Sequence, residues 1–239
     1  MKVRKLIILV LDYILLNLKF CKISYVFKIF QRYKVYFFIK YANNNFFKFN
    51  ISNPNPIIFD VGGYKGDFSD LILKTLPGAK IFIFEPIHSY YKFLVKKYID
   101  NENIKIFNFA LSGHNLKKKI SYDDDKSSIF NSSILSPGEL VDVISITDFL
   151  EQNQIKQVHL IKINIEGDEY DLLNDLINKN QIDVFDQMLI QFHYYKFEDY
   201  INFKNLRLSI LKTHDEYYNL NFVWSKYILK NSLIFENNI

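Results

Sequence analysis

Cysteine is nearly absent from this chain, with Cys21 the single one among 239 residues. No internal disulfide can form, and no zinc site can be built from thiolates. That suits a reducing compartment, with Cys21 read as a small buried hydrophobe. Several catalytic signatures are also missing. There is no H-E-x-x-H, no G-x-S-x-G and no cysteine–histidine pattern, which argues against a metalloprotease or a serine hydrolase. No metal site is expected. Alanine is scarce, and the first is Ala42, so the early apolar run lacks the small residues of a signal-peptide cleavage site. Glycine is scarce too, at seven residues, yet Gly62, Gly63 and Gly66 fall within one five-residue stretch.

What is present is the composition of a globular protein. Hydrophobic residues make up 49%, enough for one α/β domain with a sizeable core and an appendage. The abundance of aromatics, Ile, Lys and Asn reads as coding bias rather than function. Charge is unevenly spread. Residues 1–50 hold ten Lys and Arg against one acid, Asp12, whereas the remainder holds 20 basic and 25 acidic residues. An acidic body argues against nucleic acid as the main partner, because phosphate binding needs a basic working face.

Residues 6–20 are almost wholly apolar, but Asp12, Asn17 and Lys19 interrupt them too early for a membrane span. Lys5, Asp12 and Lys19 recur every seven residues and form one polar stripe of an amphipathic helix. Residues 1–50 are therefore expected to be a basic helical arm that caps the sheet. Peripheral contact of residues 1–34 with an anionic membrane is the alternative, since Lys2, Arg4, Lys22, Lys28, Arg32 and Lys34 flank the stripe. The location is expected to be cytoplasmic.

The turn cluster Ser52–Pro56 opens the second domain, residues 51–239. Strands are expected at 57–61, 80–84, 104–109, 141–146, 158–165 and 187–193, and finally at 221–224 and 232–236. Helices are expected at 68–75, 89–99, 148–152 and 170–178. Such alternation predicts a mostly parallel sheet with helices on both faces. Ligands of that architecture bind beyond the carboxyl ends of the strands. Residues 112–140 and 194–215 are read as loops that shape an acceptor pocket. The runs Lys117–Lys119 and Asp123–Asp125 are read as solvated, and Tyr194, Tyr195, Phe197 and Tyr200 as rings able to stack on a sugar.

The stretch Asp60-Val61-Gly62-Gly63-Tyr64-Lys65-Gly66-Asp67-Phe68-Ser69 follows the first strand and opens a helix. Glycines there let the backbone approach a ligand closely, and the helix start favours a carboxylate. Nineteen residues after Gly66 the second strand ends in Glu85-Pro86, where an acid can accept both ribose hydroxyls of an adenosine. The dinucleotide spacing G-x-G-x-x-G fails because Gly62 and Gly63 are adjacent, and the phosphate-loop pattern is absent. Asp60 would repel a pyrophosphate but suits a cationic ligand. S-adenosylmethionine, with its ammonium and sulfonium, fits that description.

Four blocks carry a resemblance to the FkbM-type methyltransferases. They are Ile58–Ser69, Ile83–Pro86, Asn108-Phe109-Ala110-Leu111-Ser112, and Leu160–Leu173 with its core Lys162-Ile163-Asn164-Ile165-Glu166-Gly167. Most of that family has acids where this chain has Asn164 and Gln191. A branch shares these amides, together with a later Thr-His and Phe-Val-Trp, here Thr213-His214 and Phe222-Val223-Trp224. The resemblance implies a class I, Rossmann-like methyltransferase fold with a seven-stranded sheet. It implies cofactor contacts from Asp60, Gly62, Gly63, Tyr64, Gly66, Asp67, Ser69, Glu85, Pro86, Asn108 and Ala110. It also implies O-methylation of a sugar, glycan or polar natural product.

An alcohol is a poor nucleophile while protonated, so a general base is expected. His193, at the end of the fifth core strand, suits that role at its reference pKa of about 6.5. Glu166 is the second candidate, able to take the proton, orient His193 or hold a hydroxyl. Asn164 has no basicity and is assigned positioning. Asp168 and Glu169 are explained by the helix dipole alone. His88, His114 and His159 are read as structural. A cofactor-binding module without catalysis, or a membrane-associated scaffold, remains the alternative. The sequence leaves the acceptor and the oligomeric state open.

Overall fold

In the computed structural model the chain divides into two compact units, Met1–Lys48 and Phe49–Ile239. The structure describes residues 47, 49–121, 138–195 and 197–230. The expected N-terminal arm, Asp123–Asp125 and the strand expected at 232–236 lie outside the described residues.

The second unit begins with β1 (Ile57–Val61), α1 (Asp67–Thr75), β2 (Lys80–Phe84), α2 (His88–Lys97) and β3 (Ile104–Phe107). Next come β4 (Ala110–Ser112), β5 (Leu116–Ser121), β6 (Gly138–Ser145) and α3 (Ile146–Gln152). The chain continues through β7 (Leu160–Ile163), α4 (Glu169–Asn178), β8 (Gln187–Ile190), α5 (Phe197–Ile210), β9 (His214–Leu220) and β10 (Trp224–Leu229). Among the described residues, seven strands form one sheet in the order β3-β2-β1-β7-β8-β10-β9. The first five pair in parallel, and β10 runs antiparallel to both neighbours. The order reverses between β1 and β7, and sheets of this kind bind ligands beyond the strand ends at such a reversal.

Alternation along the strands divides the core. Phe59 and Val61 of β1 and Ile161 and Ile163 of β7 join Phe149 of α3 and Leu172, Leu173 and Leu176 of α4 in one buried cluster. The intervening side chains face α1 and α2. There Ser69 of α1 reaches Asp60, and Leu94 of α2 lies with Ile83 beside Gly63. Helices therefore cover both faces. At α1, Gly66 caps the start in the left-handed conformation, with Asp67 and Asp70 in the first turn and Lys74 in the last. That charge placement complements the helix dipole.

Three elements differ from the sequence expectation. Residues 110–121 and 138–145 build a second, three-stranded sheet, β4-β6-β5; its strand β6 overlaps the strand expected at 141–146, whereas β5 falls in the stretch read as loop. Lys117–Lys119 lie on β5, and Lys118 is half-buried. Residues 197–210 form a helix, although residues 194–215 read as loop. Its apolar side chains are spread around the axis: Phe203, Leu206 and Ile210 are buried while Ile201 and Leu208 are exposed. No single stripe reveals it. The final hairpin is 214–220 with 224–229, because Asn221–Val223 form the turn and not a strand. Among the described residues no helix is long and apolar enough to cross a membrane.

Candidate active site

The parallel register places Asp60 directly beside Lys162 on β7, so both side chains leave the same face of the sheet. Both are buried. The Lys162 ammonium donates to Asp60 Oδ1 at 3.0 Å and to the Gly62 carbonyl at 2.7 Å. Ser69 Oγ donates to Asp60 Oδ2 at 2.7 Å. Asp60 is thus paired with a cation and holds one donor on each oxygen. The sequence points to a contact between Asp60 and a cationic ligand; the structure adds that Asp60, held by Lys162 and Ser69, fixes the glycine loop from behind. Lys162→Met would leave the Asp60 carboxylate buried and unpaired, and is expected to cost about 3–5 kcal/mol of stability in a denaturant titration. A loss within about 1 kcal/mol would show that the pair does not hold the loop.

The loop itself is tightly wound. Gly62 has φ of +81°, and a Cβ there would sit 2.1 Å from the Asn164 carbonyl oxygen. Only glycine allows that approach. Gly62 and Gly63 donate their amides to the Phe84 carbonyl, tying the loop to the end of β2. Tyr64 also has positive φ, at 48°. Such strain is retained where surrounding bonds over-determine the backbone. Its amide donates to Glu85 Oε2 at 2.8 Å, and its ring packs edge-on against Tyr90.

Glu85 is 4% exposed at the end of β2. Its Oε1 accepts the Ile87 amide at 2.9 Å. Each carboxylate oxygen can accept two hydrogen bonds and here accepts one from a backbone amide, so each keeps capacity for one further donor. Burial pushes the Glu85 carboxyl up to about 7, although the two backbone amides and Lys162 pull the other way. Asn108 donates its amide to the Glu85 and Pro86 carbonyls at 3.1 and 2.9 Å, and its Oδ1 pairs with the His88 ring. Asn108 therefore shapes the strand exit, and Ala110, buried, starts β4 beside it. Asp67 is exposed in the first turn of α1.

Asn164 lies just beyond β7, against Gly62. Its Oδ1 is buried and has no hydrogen-bond partner. An orphaned acceptor at a strand end costs free energy unless a ligand donor meets it. Together, a loop that excludes any Cβ, a carboxylate with spare acceptor capacity and an orphaned amide oxygen fit a nucleoside ligand that also carries an ammonium.

The second cluster stands at the ends of β7 and β8. Glu166 adopts positive φ, at 52°, without being glycine, and its side chain is 29% exposed. Its Oε2 accepts the Tyr195 hydroxyl at 2.8 Å and lies 3.4 Å from His193 Nε2. On the other side of the ring, Glu169 is fully buried. Its Oε1 accepts the His193 amide at 2.6 Å and lies 3.2 Å from Nδ1. Burial disfavours a charged imidazole, but the two carboxylates outweigh it and push His193 up to about 10. Two flanking carboxylates therefore favour the imidazolium form of His193 and leave Glu166 the better placed of the two expected bases. Glu169, attributed to the helix dipole from sequence, is the residue that sequence reasoning missed. Its only signal was spacing, three residues after Glu166.

The remaining expectations sort by contact. His214 is buried, with Nε2 on the Phe185 carbonyl and Nδ1 on Thr213, so Thr213-His214 is a packing motif. Phe222 packs on Phe203, Tyr194 and Tyr200. Tyr195 remains 41% exposed, nearly parallel to the His193 ring. The Phe197 side chain lies outside the description. His159 accepts the Ile57 amide and pairs with Asn53. Lys118 of β5 pairs with buried Asp168 at 3.0 Å, which ties the small sheet to the start of α4.

A parallel sheet with a reversed final strand, and a strained glycine loop facing a strand-end carboxylate at the switch point, define a class I nucleoside-cofactor fold. Residues 60–220 match the model of the methyltransferase FkbM domain. The chain belongs to that family, and S-adenosylmethionine is its cofactor. No curated protein sequence matched the chain. Among solved structures, it is similar to the fibrillarin pre-rRNA processing protein of Methanococcus jannaschii, at 11% identity and a TM-score of 0.45, covering 76% of this chain and 70% of that one. It is also similar to TrmK of M. capricolum in complex with S-adenosylhomocysteine, at 12% identity and a TM-score of 0.38, covering 74% and 64%. A dimethyladenosine transferase from Plasmodium falciparum shows 13% identity and a TM-score of 0.44 over 75% and 57%.

Proposed function

We propose that this methyltransferase acts on a hydroxyl group of a sugar, glycan or other polar small molecule, and not on nucleic acid. One observation supports this most. Glu166 is a partly exposed carboxylate at a strand end, held in a strained backbone conformation and oriented by a cationic ring and a phenol. An adjacent imidazolium stabilises a carboxylate charge. Glu166 is then the group that takes the proton of an acceptor hydroxyl.

S-adenosylmethionine, when bound, would supply an electrophilic methyl group on a sulfonium, whose S–C electron pair would stay on sulfur as the acceptor oxygen gained the methyl. Glu85 would hold the ribose hydroxyls, and Asn164 Oδ1 would accept from the ammonium. The Asp60–Lys162 pair keeps the loop in place. Alignment of the acceptor contributes through proximity. Tyr195 offers an exposed ring face beside Glu166, a surface on which a sugar ring can stack.

The test is transfer of an isotopically labelled methyl group by the full chain to a panel of sugar nucleotides, glycans, polyhydroxylated small molecules and structured RNA. A methyl ether on a hydroxylated acceptor is the expected product. Label in RNA alone would overturn the reading, and cofactor binding without transfer to any acceptor would favour a non-catalytic module.

A further inference from the structure

We propose that Glu169 is a positioning residue: its buried carboxylate grips His193 from behind, so that Nε2 is aimed at Glu166 as a hydrogen-bond donor and Glu166 alone takes the acceptor proton. This rests on the methyl-transfer reading above but assigns a role to a residue that never meets the acceptor.

The geometry carries the inference. Glu169 is 0% exposed and sits in the first turn of α4. Both of its oxygens are committed. Oε2 accepts the Gly167 amide at 2.7 Å, and Oε1 accepts the His193 amide at 2.6 Å with Nδ1 at 3.2 Å. The same side chain therefore ties the residue after Glu166 to the strand end that bears His193. A carboxylate facing Nδ1 requires the proton to be on that nitrogen. With a second carboxylate at Nε2, the ring must carry both protons. Tyr170 donates its hydroxyl to the His193 carbonyl at 2.6 Å, and the Tyr195 ring lies parallel to the imidazole with centroids 6.1 Å apart. Carboxylates on both ring nitrogens set its orientation.

Among the described residues, the charged and titratable groups that meet His193 are Glu166, Glu169, Tyr170 and Tyr195. Asp168, paired with Lys118, stands next along the chain, and Asp199 accepts the Tyr195 amide. The arrangement inverts the usual order, in which a buried acid orients a neutral histidine that acts as base. Here a second carboxylate occupies the outer nitrogen, so the imidazole holds its proton and the outer carboxylate remains the acceptor.

The test is an NMR titration of the histidine rings in the full-length protein, with His193 assigned by loss of its signal in His193→Ala. The wild-type ring is expected to stay an imidazolium from pH 6 to pH 8. In Glu169→Gln its midpoint should fall by at least one pH unit, kcat should fall about tenfold or more, and KM for the cofactor should be unchanged. Glu169→Asp, which keeps the charge, should recover part of both. A wild-type ring that deprotonates between pH 6 and pH 7 overturns the proposal, and that readout stands even if Glu169→Gln does not fold. An unchanged titration in a folded Glu169→Gln overturns it too. If the ring behaves as expected but no hydroxylated acceptor is methylated, the failure lies with the O-methylation reading alone.

Discussion

Glu166→Gln is expected to lower kcat for methyl transfer by about 100- to 10,000-fold, the range attached to a positioned general base, while leaving the affinity for S-adenosylmethionine within about twofold. The substitution is nearly isosteric and keeps an oxygen for the Tyr195 hydroxyl, so the fold should be unaffected. What it removes is the capacity to take a proton. The acceptor oxygen becomes strongly acidic as its new bond forms, so even a carboxylate whose charge is stabilised by a neighbouring imidazolium can take the proton late in the reaction. His193 cannot substitute, because its two carboxylate neighbours push it up to about 10. His193→Ala is accordingly expected to cost less than Glu166→Gln. Rapid-quench measurement of a single turnover checks both. Equal rates for Glu166→Gln and wild type would rule Glu166 out.

Glu85→Ala is expected to weaken cofactor binding by about 100-fold or more, since two charge-assisted hydrogen bonds of about 1.5–3 kcal/mol each are lost. The effect should depend on pH, and the sign follows from the free protein. Burial raises Glu85 from 4.5 to about 7, so at pH 6 the folded, ligand-free chain holds a proton there that the unfolded chain has released. The fold therefore loses stability as pH rises from about 4.5 to 7. Ribose hydroxyls donate to the ionised form and pull the pKa back down. Binding below pH 7 must then release a proton, and Kd should rise by up to about tenfold for each pH unit below 7. Glu85→Gln should abolish this dependence. Calorimetry in buffers of different ionisation enthalpy reads the proton directly, and a flat profile between pH 6 and pH 8 would count against Glu85 as the ribose acceptor.

The parts of this site that could be read from the chain are those with local signals. A glycine loop after an apolar run, and an acid closing the next one, mark Gly62–Gly66 and Glu85 wherever the strands lie. Asp60 was visible as an acid, but its partner was not, because the pairing with Lys162 depends on which strands become neighbours. That choice joins residues 102 apart. Of the small sheet only β6 was legible; β4 spans three residues, and β5 carries three consecutive lysines that read as solvated. Glu169 was concealed by a sufficient local explanation, since acids favour helix starts anyway. Only the packing of β8 beside β7 brings His193 to it. Glu166 gave no hint of its left-handed backbone, a conformation that glycine would have advertised. These gaps share a cause. Each concerns a charge whose meaning is set by a neighbour distant in sequence, and hydrophobic periodicity says nothing about such pairs.

The central claim is that the loop at Gly62–Gly66 and the carboxylate of Glu85 form a site for S-adenosylmethionine. Calorimetric titration of the cofactor into the full-length protein at pH 8, beside Glu85→Ala, tests it most directly. One saturable site per chain with Kd between about 1 μM and 1 mM is expected, lost or weakened about 100-fold in the variant. Absence of binding to the wild type at about 1 mM, or equal binding to both proteins, would contradict it.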